Sequence, residues 1–149
     1  MMSNSKSTHD KDHVILFAED DPDDRFLIEE AFRASSISGS LFFVENGEEL
    51  LDYLLGRKRY AESGPRVPMC VFLDLRMHLK NGREALKEIR QNPKFADLPI
   101  LVLSTSDTDD DKEYCSRFGV TDYIKKPDSF TELITVVEKA RKFCLTPVT

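Results

Sequence analysis

Apolar runs of strand length recur five times along the chain, at residues 14–18, 41–44, 69–73, 100–103 and, more weakly, 120–124. Such unbroken runs suit strands covered on both faces, where no side of the strand is left to water. Between them the pattern turns helical. Leu50, Leu51, Leu54 and Leu55 form one stripe, and Phe130, Leu133, Ile134 and Val137 form another, at the i, i+3, i+4, i+7 spacing of a single helix face. Residues 24–34, 82–91 and 108–118 supply the remaining helices. Strands alternating with helices, joined by right-handed crossovers, predict an α/β domain of the (βα)₅ kind, its parallel sheet lying between two helical layers. Gly119 is expected to end the fourth helix in the left-handed conformation, and Pro127 to stand near the start of the fifth. Residues 57–68 are the longest irregular connection, but neither side of it could form a core alone. One domain over residues 13–145 is therefore expected, with a disordered polar tail at 1–12 and a short tail at 146–149.

Composition narrows the class without naming a function. The 149 residues are 40% hydrophobic and 32% charged, an ordinary globular balance, and no apolar stretch is long enough to span a bilayer. The polar start lacks the apolar segment of a signal peptide, which predicts a cytoplasmic protein. Cys70, Cys115 and Cys144 are widely spaced and match neither a zinc pattern nor a disulfide framework. A formal net charge of −6 with no basic stripe argues against nucleic acid as a direct ligand.

The chemistry lies at the strand ends. In open parallel sheets, ligands bind beyond the carboxyl ends of the strands. There the first strand runs into Glu19-Asp20-Asp21, the third into Asp74, the fourth into Ser104-Thr105, and the fifth is followed by Lys125-Lys126-Pro127. Each piece alone has a plainer reading: acids favour a helix N-terminus, an aspartate can cap a turn, a hydroxyl can bond its own backbone, and a lysine points into water. Together they are harder to dismiss. Clustered carboxylates repel one another and need a cation or must bind protons, and Mg²⁺, a hard ion that keeps several waters and readily adds a phosphate oxygen, is the natural solution. A carboxylate beside it can attack phosphorus, with Lys126 and a hydroxyl neutralising the transferred oxygens.

The segments VILFAEDDPDD, VFLDLRMHLKNGREAL, LPILVLSTS and TDYIKKP resemble those of response-regulator receiver domains of two-component systems, over roughly residues 14–144. The resemblance implies the flavodoxin-like, CheY-like fold, a doubly wound parallel sheet in strand order 2-1-3-4-5. It also implies roles. Asp74 becomes the phosphoacceptor, Asp20 a direct Mg²⁺ ligand, Glu19 a ligand acting largely through water, and Arg76 a donor of its backbone carbonyl to the metal. Ser104, with Thr105 beside it, would supply the switch hydroxyl, Tyr123 the switch aromatic, and Lys126 the phosphate-binding ammonium. Pro127 would follow a cis peptide that aims Lys126 inward. Two departures stand out: His78 replaces a usual proline, and Asn81 a usual aspartate. Neither is a proposed ligand, and a lone loop histidine makes no metal site.

A narrower likeness is to the stand-alone regulators paired with bacterial phytochrome histidine kinases, from the long 57–68 loop, NGREALKEIR and LPILVLSTS. It implies a histidine kinase as partner and a homodimer, with Phe143 and Leu145, expected to lie past the sheet, as contacts. Rival functions fit less well. A haloacid-dehalogenase-like phosphatase needs a general acid two residues after its nucleophile, where this chain has Arg76. An interaction module that is never phosphorylated would be expected to lose part of the acid cluster. A flavodoxin-type electron carrier would need a hydroxyl- and glycine-rich phosphate loop after the first strand.

Overall fold

The computed structural model describes residues 13–77 and 81–144, the last of these by its backbone alone. The two tails, His78 and Leu145 therefore lie outside the described residues. Strand and helix alternate as β1 (Val14–Ala18), α1 (Pro22–Ala34), β2 (Ser40–Val44), α2 (Gly47–Leu55), β3 (Cys70–Leu73), α3 (Gly82–Gln91), β4 (Ile100–Ser104), α4 (Asp109–Arg117), β5 (Asp122–Lys125) and α5 (Phe130–Glu138). A single turn, α6 (Arg141–Cys144), follows. The five strands are all parallel, in the order β2-β1-β3-β4-β5.

Side chains that satisfy orphan N–H groups start most of the helices. Asp21 accepts from the N–H groups of Asp23 and Asp24, with Pro22 in the first helical turn. Asn46, Thr108 and Ser129 accept in the same way at α2, α4 and α5. Asn81, the departure noted in the sequence, makes a reciprocal capping box with Glu84 at α3. Gly119 takes a φ of +65° just past α4, as expected. Pro127 stands shortly before α5, as expected, and Ser129 caps that helix at Phe130.

Alternate strand residues point into two cores. Leu16, Val71, Leu73, Ile100 and Val102 meet Leu50 and Leu54 of α2 and Leu86 and Ile89 of α3 on one face. On the other, Ile15, Phe17, Phe72, Leu101 and Leu103 meet Ile28 of α1 and Val136 of α5, and the rings of Phe17 and Phe72 stack with centroids 4.4 Å apart. β1, β3 and β4 are buried throughout, whereas the edge strands β2 and β5 are only half-covered. Phe143, half-buried, packs its ring against the second core. The 57–68 loop is tied down by Tyr60, which is buried and donates to Glu49 at 2.6 Å, and by Arg57 on Asp52 at 3.0 Å. Among the described residues, no helix is long and apolar enough to cross a membrane.

Candidate functional site

Sheet register brings the candidate residues together. Ala18 and Leu73 are Cα partners at the ends of β1 and β3, so Glu19 and Asp74 emerge side by side. Backbone bonds fix those exits: Glu19 N–H donates to Val44 at 3.0 Å, Asp74 N–H to Ala18 at 3.2 Å, and Lys126 N–H to Ser104 at 2.8 Å. Carboxylate oxygens of Glu19, Asp20 and Asp74 all lie within 4.8 Å of one another. Gly82 lets the chain turn closely past this point, since a Cβ there would meet the Asp74 carbonyl oxygen at 2.5 Å and Leu75 Cα at 2.6 Å.

Lys126 is the cation in this cluster. Its Nζ lies 2.9 Å from Glu19, 3.0 Å from Asp24 and 3.1 Å from Asp74. Burial works against the ammonium, but the Asp74, Glu19 and Asp24 carboxylates outweigh it and hold its pKa above the ordinary lysine value. The carboxylates themselves remain under strain. Burial first, and the Asp74 charge second, push Glu19 up to about 7 despite Lys126 and the Asp21 N–H that reaches it at 3.2 Å. Asp74 is also raised, again chiefly by burial, although the Arg76 N–H at 2.9 Å and Lys126 both favour its charged form. Among the described residues, one ammonium shared among three carboxylates leaves negative charge undischarged. Hard oxygen donors in that condition fit a divalent cation of the Mg²⁺ or Mn²⁺ kind.

Ser104 is wholly buried at the end of β4, and its Oγ accepts from the Ser106 N–H at 3.1 Å. Tyr123, half-buried on β5, donates its hydroxyl to the Ser106 carbonyl at 2.8 Å. Thr105, next to Ser104, is exposed. The cis bond expected before Pro127 is corrected by the structure: all peptide bonds of the described residues are trans. Trans is the lower-energy isomer even before proline, and here Lys126 is aimed inward by its own N–H bond to Ser104 and by three carboxylates.

Two partners were not foreseen. Asp24 reaches Lys126 from α1, and buried Asp111, in the first turn of α4, reaches Arg76 at 3.2 Å. In the sequence both read as ordinary acids of a first helical turn, and their cations lie 102 and 35 residues away. The only signal was the run of acids itself, Asp20 to Asp24 and Asp107 to Asp111.

Comparison with known proteins agrees with this geometry. Residues 15–138 match the response regulator receiver domain family. Response regulator Rcp1 of Synechocystis sp. is 35% identical over 136 residues, covering 91% of each chain. The structure of the Mn(2+)-bound form of Rcp1 has a TM-score of 0.79 at 34% identity, covering 92% of this chain and 97% of that one. The structure of the phosphorylated cyanobacterial phytochrome response regulator RcpA gives the same TM-score of 0.79 at 32% identity, over 92% of this chain and 96% of that one.

Proposed function

The chain belongs to the response regulator receiver domain family of two-component signalling, and from that premise we propose that it accepts a phosphoryl group on Asp74 from a histidine kinase, with Mg²⁺ as cofactor. The observation that carries this reading is the buried Asp74 carboxylate, set between Glu19, Asp20 and the Lys126 ammonium.

An Asp74 oxygen attacks phosphorus, the bond from phosphorus to the kinase imidazole nitrogen breaks, and the imidazole leaves with its electron pair. The Arg76 N–H holds the other Asp74 oxygen and so orients the attacking one. Asp20 and Asp74 would hold the cation, with the Arg76 carbonyl as a further ligand and Glu19 acting through water. Bound there, a divalent ion would supply positive charge to offset the negative charge on the transferred oxygens. Lys126 exchanges its carboxylates for a phosphoryl oxygen, and Ser104 turns its hydroxyl toward another. That movement takes the acceptor from the Ser106 N–H and biases Tyr123, altering the surface around β5. The chain thus promotes its own phosphorylation and dephosphorylation and turns over no separate substrate.

The donor is a kinase of the bacterial phytochrome kind, a reading supported by the likeness to Rcp1 and RcpA. Its output is protein association in the cytoplasm, the homodimer included, which sedimentation with and without phosphorylation tests. The central experiment is intact mass after incubation with Mg²⁺ and a small acyl-phosphate donor. A single base-labile phosphoryl adduct on the native protein and none on Asp74→Asn is expected. An adduct retained by Asp74→Asn overturns the assignment.

A further inference from the structure

A second buried carboxylate stands outside the phosphoacceptor cluster and is tied to it. Asp111 Oδ2 accepts from Arg76 Nη2 at 3.2 Å and from the Ser106 hydroxyl in a short hydrogen bond, while Oδ1 accepts from Arg83 Nη1 at 2.9 Å. Arg83 is itself held, its guanidinium 4.0 Å above the Tyr114 ring and its carbonyl accepting from the Tyr114 hydroxyl at 2.8 Å. An acid that only favoured its helix dipole would remain in water, as Asp109 and Asp110 do beside it. Asp111 instead gathers partners from the loop after β3, the first turn of α3 and the loop after β4.

These bonds close a circuit. The Arg76 N–H holds Asp74 while its side chain holds Asp111. Asp111 holds the Ser106 hydroxyl, the Ser106 N–H holds the Ser104 hydroxyl, and the Ser106 carbonyl accepts from Tyr123. Ser106 therefore faces three groups at once. When the Ser104 hydroxyl swings toward a group on Asp74, the Ser106 N–H loses its acceptor, yet the loop cannot follow without breaking or dragging the bond to Asp111.

We propose that Asp111 is a positioning residue, a clasp that holds the loop after β4 against the loop after β3 in the resting arrangement and so sets how readily Tyr123 responds to Asp74. The proposal rests on the reading of Asp74 as the phosphoacceptor. It treats Arg76–Asp111–Ser106 as a two-state element whose equilibrium the phosphoryl group biases.

The test is heteronuclear NMR of residues 104–106 and Tyr123 in the native protein, Asp111→Asn, Arg76→Met and the control Asp110→Asn, each before and after Mg²⁺ and a small acyl-phosphate donor. Without phosphorylation, Asp111→Asn is expected to move these resonances along the line that the native protein follows on phosphorylation, with the switched arrangement populated roughly fivefold more, the lower end of an allosteric coupling. Arg76→Met should move them the same way and less, and it carries the test if Asp111→Asn fails to fold. Asp110→Asn, removing an exposed charge on Arg83 alone, should leave them in place. A merely structural Asp111 would lower the melting temperature without that collinear shift. No adduct on the native protein overturns the phosphoacceptor reading and the switch with it. An adduct on the native protein together with native-like resonances and response in both Asp111→Asn and Arg76→Met overturns the clasp alone.

Discussion

Asp74 and Asp111 are the same residue at nearly the same solvent exposure, 5% and 4%, and their surroundings push them in opposite directions. At Asp74 burial dominates and raises the pKa, because its ammonium is shared with Glu19 and Asp24. At Asp111 the Ser106 hydroxyl leads, and the Arg76 and Arg83 guanidiniums join it, so the pKa falls below the ordinary value in spite of burial. Among the described residues, acid outnumbers cation around Lys126, and cation outnumbers buried acid around Asp111. Solvent exposure alone therefore says little about a carboxylate: Asp74 lies deeper among protein atoms, and Asp111 has the better partners. The first cluster is poised to take on a cation, and the second is already satisfied and acts as a fixture.

The largest effect is expected at Lys126. Lys126→Met should cost about 3 kcal/mol of stability, since it strips buried carboxylates of a shared partner rather than removing a balanced pair. A divalent cation added to the variant should restore much of that loss by binding the folded state. Thermal unfolding with and without Mg²⁺ measures both, and a variant as stable as the native protein without metal would show that the cluster was never short of positive charge.

Asp111→Asn comes next, at about 2 kcal/mol, because the guanidiniums lose a charged acceptor but can reach water. The two aspartates should then part in their pH dependence. Asp111 has a depressed folded pKa, so its contribution is complete above the unfolded value near 3.8 and is lost as pH falls through the folded one. The deficit of Asp111→Asn should therefore close in acid. Asp74 has a raised folded pKa, so its ionisation opposes folding, fully so above the folded value and not at all below 3.8. Metal-free Asp74→Asn should be more stable than the native protein at neutral pH, by on the order of 1 kcal/mol, and that gain should vanish in acid. Denaturant titrations across pH that gave both variants the same sign would collapse the distinction.

The two regions also differ in how far the sequence disclosed them. The central strands carry continuous apolar runs, and β1, β3 and β4 fall within a residue of expectation. The edge strand β5 does not: its pattern suggested 120–124, but a half-covered strand mixes polar and apolar residues, and pairing with β4 places it at Asp122–Lys125. Glu19, Asp20, Asp74, Ser104 and Lys126 were legible because each follows a recognisable strand. Asp111 was not, because its role depends on a helix turn docking against a loop that the local pattern does not place. The 57–68 loop read as irregular, and the anchoring of Tyr60 on Glu49 is likewise a tertiary contact. The packing of Phe143 against the second core is another tertiary contact that the linear pattern does not place.

The smallest effect is expected at Asp24, and it sharpens the contrast most economically. The Asp24 side chain is 39% exposed and holds Lys126 at 3.0 Å, but Glu19 and Asp74 hold the same ammonium from deeper positions. Removing one acid from a cluster where acids outnumber their cation relieves repulsion nearly as much as it loses attraction. Asp24→Asn should shift stability by only about 0.5 kcal/mol, the scale of a partly exposed ion pair. Its Nζ contacts then reduced to two, Lys126 should be easier to detach, so phosphoryl uptake by Asp24→Asn should be undiminished. A loss of 2 kcal/mol or more in chemical denaturation would mean that Lys126 depends on Asp24 as Arg76 and Arg83 depend on Asp111, and the two clusters would then be balanced in the same way.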